Sequence, residues 1–148
     1  MEDSIKGTSI ICSDEVRVLI IEDEYVIAAN LQEMVEALGY EVMGIAASVE
    51  DALEKIADCL PSLVLMDIRL QGQLDGIEAA CFLWDNLQIP IIYITGHSDR
   101  HTLKRMEMTF SLGYLPKPVK SSELKATIAS ALNFLSENKQ HSEQPDDR

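Results

Sequence analysis

Five short apolar runs punctuate the chain: Val16–Ile21, Val42–Ala46, Leu63–Met66, Ile89–Ile94 and Leu112–Leu115. They are nearly continuous instead of alternating with polar residues, the pattern of strands buried on both faces. Helical periodicity fills the spaces between them. Ile27, Leu31, Met34, Val35 and Leu38 form one stripe, which Gly39 ends with a left-handed cap. Ser48 caps a second helix, lined by Val49, Leu53, Ile56 and Leu60 and stopped by Pro61. Ile77, Ala80, Cys81 and Trp84 mark a third, and Leu103, Met106 and Phe110 a fourth. Leu124, Ile128, Ala131, Leu132 and Leu135 mark a fifth, begun by Ser121 or Ser122. All of these apolar residues read as core, with Trp84 and Phe110 packing and Cys59 and Cys81 as buried small hydrophobes. Strand-then-helix repetition predicts an α/β fold, a doubly wound parallel sheet with helices on both faces. Right-handed crossovers leave only a few such topologies.

The length of 148 residues fits one domain with tails. Residues 1–15 carry net charge −3 with little periodicity and residues 136–148 are polar with net charge −2, so both read as flexible extensions of a domain over 16–135. The net charge of −13 disfavours nucleic acid and anionic membrane surfaces as partners. No apolar stretch approaches the ~20 residues of a membrane span, and the N-terminus has no signal-peptide pattern, so the cytoplasm is the expected location. Cys12, Cys59 and Cys81 show no zinc spacing. His97 and His101 stand four apart without a third ligand, and with His141 they read as surface residues.

Chemistry concentrates where the strands end. The first run leads into Glu22, Asp23 and Glu24, the third into Asp67, the fourth into Thr95 and Gly96, and the fifth into Lys117 and Pro118. The carboxyl ends of parallel strands are where such sheets bind ligands. Carboxylates gathered there repel by about 4 kcal/mol per pair at 4 Å and an effective dielectric of 20, so they need a cation or a shared proton. An oxygen-only donor set suits a hard divalent ion such as Mg²⁺. Lys117 adds a compact positive charge and Thr95 a hydroxyl, which makes Asp67 a candidate nucleophile towards a phosphoryl group. Taken singly, the acids before the first helix could serve its dipole, and Asp67 and Thr95 could be turn residues.

The segments VLIIEDE (18–24), LVLMDIRL (63–70), LDGIEAA (74–80), IPIIYITG (89–96) and GYLPKPV (113–119) together resemble a response-regulator receiver domain of two-component signalling. The resemblance covers roughly residues 16–135. It implies a flavodoxin-like sheet of five strands in the order 2-1-3-4-5, with five helices. Asp67 would be the phosphoacceptor. Glu22 and Asp23 would hold Mg²⁺ or Mn²⁺ together with Asp67 and the backbone carbonyl of Arg69. Lys117 would pair with the phosphoryl group, Thr95 and Tyr114 would be the switch pair, and Pro118 would follow a cis bond. The loop after Asp67 has one residue more than usual and lacks a proline, and Glu22 stands where Asp is commoner.

The function so implied is a phosphorelay receiver. It takes a phosphoryl group from a histidine kinase or phosphotransfer protein and signals to a downstream protein target by conformational change. It is not a classical enzyme, since it catalyses only its own phosphorylation and dephosphorylation. The signalling face would join the fourth helix, fifth strand and fifth helix, including Arg100, Lys104, Arg105 and Glu123, and a homodimer through that face is a candidate assembly. Only about 13 residues follow the fifth helix, which suggests a stand-alone receiver, although a receiver excised from a longer chain fits equally. The principal alternative is a phosphorylation-independent interaction module of the same fold. An aspartyl phosphatase would carry DxDxT where this chain has Asp67-Ile68-Arg69, and no Gly-rich nucleotide motif is present.

Overall fold

The computed structural model describes residues 15–69, 75–96 and 100–143, with the side chains of 139–143 excepted. Cys12, His97, the His141 side chain and most of the loop after Asp67 therefore lie outside the described residues. Strands β1 (Arg17–Ile21), β2 (Glu41–Ala46), β3 (Leu63–Asp67), β4 (Ile91–Thr95) and β5 (Tyr114–Pro116) alternate with helices α1 (Tyr25–Ala37), α2 (Val49–Asp58), α3 (Gly76–Leu87), α4 (Arg100–Glu107) and α5 (Ser121–Glu143). The strands form one parallel sheet in the order β2-β1-β3-β4-β5. This is the doubly wound α/β architecture expected from the sequence.

Strand periodicity divides the core into two layers. Val18, Ile20, Leu63, Leu65, Ile92 and Ile94 face α1 and α5, where they meet Leu31, Val35, Leu124 and Ile128. Leu19, Ile21, Val64, Met66, Ile91 and Tyr93 face the other way, onto Val49, Ile56, Ile77, Leu83 and Met106. Because the central strands are covered on both sides, Val18 to Ile21 are all fully buried, which explains their unbroken apolar sequence. Two helices start from side-chain caps. Ser48 Oγ accepts from Asp51 N–H at 3.1 Å to open α2, and a capping box of Asp75 and Glu78 opens α3. Gly39, at φ +97, supplies the left-handed residue that turns the chain from α1 to β2.

Several expectations need correction. Leu60 is 50% exposed and is not part of the helical stripe. Helix α2 ends at Asp58, and Arg17 Nη2 then holds the Leu60 carbonyl at 3.0 Å, turning its side chain to solvent. Cys59 and Cys81 are half-buried instead of core residues. Helix α5 runs on to Glu143, past the expected boundary at 135. Phe110 packs as expected, stacking on Trp84 at 4.2 Å with Phe134 6.0 Å beyond, yet it remains 37% exposed. Among the described residues no helix is long and apolar enough to cross a membrane.

Candidate functional site

The parallel sheet brings five polar side chains to one edge. Glu22 and Asp23 follow β1, and Glu22 N–H continues the pairing with β2 by donating to Ala46 O at 2.9 Å. Asp67 ends β3, and the next amide, Ile68 N–H, donates to Ile94 O at 3.2 Å. Thr95 ends β4, and its carbonyl accepts from Lys117 N–H at 2.7 Å. The Lys117–Pro118 bond is cis, as the resemblance implied.

Carboxylate oxygens of Glu22, Asp23 and Asp67 all lie within 4.8 Å of one another. Lys117 Nζ stands 3.0 Å from Glu22 Oε1 and 3.5 Å from Asp67 Oδ1. The remaining contacts come from the backbone. Glu24 N–H donates to Glu22 Oε2 at 3.0 Å, and Arg69 N–H donates to Asp67 Oδ1 at 3.1 Å. Glu22, Asp67 and Thr95 are buried, at 2%, 3% and 4% exposure. Asp23 is half-buried and opens the cluster to solvent.

The charges are unbalanced. Burial pushes the Glu22 carboxyl above its ordinary value, and the neighbouring Asp67 adds to the rise. Burial likewise raises Asp67, outweighing Lys117 and the Arg69 amide. Burial pulls the Lys117 ammonium down, but hydrogen bonding and charge from Glu22 and Asp67 outweigh it and leave its pKa raised. One ammonium thus faces three carboxylates. Glu22 Oε1 is buried without a well-aligned hydrogen bond, its neighbour being the Lys117 charge. A buried oxygen in that condition, within an all-oxygen set, fits a hard divalent cation such as Mg²⁺. Among the described residues this is the one group of three or more acidic, His or Cys side chains placed to hold a metal.

Of the simpler explanations, the turn reading of Asp67 holds in part, since its Oδ1 accepts from the amide two residues on, whereas a capping role for the acids before α1 finds no support. Helix α1 has no acidic residue in its first turn, and its N-cap, Glu24, makes no side-chain capping bond. Glu22 and Asp23 precede the helix and turn to Asp67.

Tyr114 is 53% exposed. It borders a hollow of about 280 Å³ whose walls include Tyr93, Leu103 and Met106. Of the outer face, Arg100 and Lys104 are exposed and Glu123 is half-buried. Arg105, expected on the same face, also has a partner within the fold. It is half-buried and forms a two-point ion pair with Asp75, Nη1 to Oδ2 at 2.8 Å and Nη2 to Oδ1 at 3.2 Å. A pairing between residues 30 apart leaves no local sequence signal, although a guanidinium among capping acids is the chemistry that would have suggested it.

A sequence model of the response regulator receiver domain matches residues 18–129. The chain is 36% identical over 117 residues to the transcriptional regulatory protein PdtaR of Mycobacterium tuberculosis, covering 79% of this chain and 57% of that one. It is 35% identical over 119 residues to the phyllosphere-induced regulator PhyR of Methylorubrum extorquens, covering 79% and 43%. The chain therefore spans about half the length of these relatives. Among solved structures, the signal receiver domain of a modulated diguanylate cyclase from Desulfovibrio desulfuricans superposes with a TM-score of 0.76 at 37% identity, covering 88% of this chain and all of that one. The receiver domain of PhyR from Erythrobacter litoralis gives a TM-score of 0.72 at 34% identity, covering 81% and 92%. Fold, cluster geometry and relatives agree that this chain belongs to the response-regulator receiver domains of two-component systems.

Proposed function

We propose that the protein accepts a phosphoryl group on Asp67 and relays the event through its surface to a protein partner. The observation that carries this reading is the placement of a buried Asp67 within reach of Lys117, Glu22 and Asp23 at the carboxyl edge of the sheet. Lys117 and the Arg69 amide engage Oδ1, which leaves Oδ2 as the attacking oxygen. The donor is a phosphohistidine of a histidine kinase or phosphotransfer protein. The Oδ2–P bond forms as the P–N bond breaks, and the imidazole keeps the electron pair. Lys117 sits where it neutralises charge on the transferring oxygens. Mg²⁺, held by Glu22, Asp23, Asp67 and the Arg69 carbonyl, supplies further charge neutralisation when bound; Mn²⁺ fits the same donors. Water later attacks phosphorus and returns the carboxylate and free phosphate, so the chain acts only on itself.

The donor approaches across an apolar shelf. Tyr25 and Val26 are 79% and 78% exposed. Val26 and Ile27 also wall a hollow of about 520 Å³ with Lys117, Pro118 and Val119, beside the acidic cluster. On the output side, the Thr95 hydroxyl turns to the new phosphoryl oxygens and Tyr114 moves into the hollow under α4. This shifts a two-state equilibrium of the α4–β5–α5 face, where the downstream target or a second copy of the chain docks.

The test is intact-mass analysis after incubation with acetyl phosphate, with and without Mg²⁺. A gain of one phosphoryl group that needs Mg²⁺ is expected. No gain, in a protein that also binds no Mg²⁺, would leave a phosphorylation-independent interaction module as the correct reading.

A further inference from the structure

The phosphoacceptor is pressed by a helix start that is itself held from α4. Gly76, the first residue of α3, lies so close to the end of β3 that an added Cβ would fall 2.2 Å from Asp67 O and 2.7 Å from Ile68 Cα. Its amide donates to Ile68 O at 2.9 Å. The residue before it, Asp75, closes the capping box, with Oδ1 accepting Glu78 N–H at 2.9 Å and Glu78 Oε1 accepting Asp75 N–H at 3.2 Å. The same carboxylate takes both guanidinium nitrogens of Arg105. The chain of contact runs Arg105, Asp75, Gly76, then the Asp67–Ile68 peptide. The Arg69 amide that holds Asp67 Oδ1 lies on that same short stretch.

Resting on the reading of Asp67 as phosphoacceptor, we propose that Arg105 is a positioning residue for phosphoryl acceptance: its paired bonds to Asp75 fix the start of α3 against the Asp67–Ile68 peptide, so that α4 sets the alignment of the reacting carboxylate. The geometry favours this over a simple surface bond. Asp75 cannot shift without displacing Gly76, and Gly76 has no free space towards Asp67. Arg105 lies on α4, whose chain leads back towards Thr95, so one side chain links the switch side of the sheet to the acceptor strand. By reciprocity of coupling, a partner that moves Arg105 alters the reactivity of Asp67, and phosphorylation alters the Arg105–Asp75 pair.

The test is a double-mutant cycle of Arg105→Gln and Asp75→Asn, chosen because Asn caps a helix about as well as Asp and so keeps the start of α3. Two quantities are read: the rate of Mg²⁺-dependent phosphorylation by acetyl phosphate, and hydrogen exchange of the Gly76 and Arg69 amides in metal-free protein. Each single variant is expected to slow phosphorylation and speed exchange at those amides by about 2- to 5-fold, the scale of a partly exposed ion pair. The double variant should be no worse than the poorer single, with amides elsewhere in the β4 core unchanged. Arg105→Lys, with one point charge in place of the fork, should recover only part of the loss. Additive effects, or unchanged Gly76 and Arg69 exchange in Arg105→Gln, would overturn the proposal. Failure of the wild type to take phosphate would instead count against the reading of the site, while the exchange cycle would still decide whether Arg105 orders the acceptor segment.

Discussion

Replacing Asp67 with Asn should make the metal-free protein more stable. At 4.8 Å, the outer limit of separation within the cluster, Glu22 and Asp67 repel by about 3.5 kcal/mol at an effective dielectric of 20. Half-exposed Asp23 adds on the order of 2 kcal/mol after screening. Lys117, 3.5 Å from Asp67 Oδ1, returns about 4.7 kcal/mol of attraction at the same dielectric. These charges nearly cancel, which leaves desolvation of the Asp67 carboxylate, the dominant influence on its pKa, as the uncompensated cost. Asn removes that cost and keeps an oxygen for the Arg69 amide. The expected gain is about 1–2 kcal/mol, or roughly 4–8 °C in melting temperature for a domain of this size. The assay is thermal unfolding in chelator and in Mg²⁺. Wild type should melt higher with Mg²⁺, by about 2.7 kcal/mol at a hundredfold excess over its dissociation constant, and Asp67→Asn should lose most of that response. A variant that melts at or below the wild type in chelator would refute the reasoning that these carboxylates are held against their own repulsion and burial.

The pH dependence has a defined sign. Glu22 and Asp67 have folded-state pKa values above their ordinary 4.5 and 3.8, so between those ranges the fold binds protons that the unfolded chain does not. Their contribution to metal-free stability should therefore rise as pH falls from neutral towards the ordinary carboxylate range, and Mg²⁺ affinity should fall over the same window. Calorimetric titration of Mg²⁺ at several pH values checks this, and an affinity that rises on acidification would contradict it. Lys117, raised above 10.5, stays charged throughout that window, so its ion pairs weaken there only as Glu22 and Asp67 take up protons, and the ammonium itself is lost only in strong alkali. Lys117→Ala should retain Mg²⁺ binding and slow phosphoryl acceptance by about 10²- to 10³-fold, the effect of removing one preorganised donor, as read by intact mass over time. Gly76→Ala should cost about 3 kcal/mol, because the new Cβ meets only backbone; an unchanged urea midpoint would contradict it.

The sequence was most informative where physics acts locally or repeats. Burial on both faces writes itself as unbroken apolar runs, so β1, β3 and β4 were legible to within two residues. Strand β5 was less so. It is an edge strand in which only Leu115 of its three residues is buried, so the apolar run marked the approach to the strand instead of the strand itself. The end of α5 was missed because residues 136–143 carry no apolar stripe; a helix that leaves the core needs none. The acidic cluster was foreseeable because a parallel sheet delivers every strand end to one edge, and Glu22, Asp23, Asp67 and Lys117 lie together there. The Arg105–Asp75 pair was not, since its partners meet only through the packing of α4 beside α3.

The most direct measurement is to phosphorylate the protein with phosphoramidate and Mg²⁺, trap the acyl phosphate with borohydride, and locate the reduced residue by peptide mass spectrometry. The account predicts reduction at position 67 and at no other carboxylate, and none when Mg²⁺ is chelated. Trapping at Glu22 or Asp23, or label that forms equally well without Mg²⁺, would contradict it.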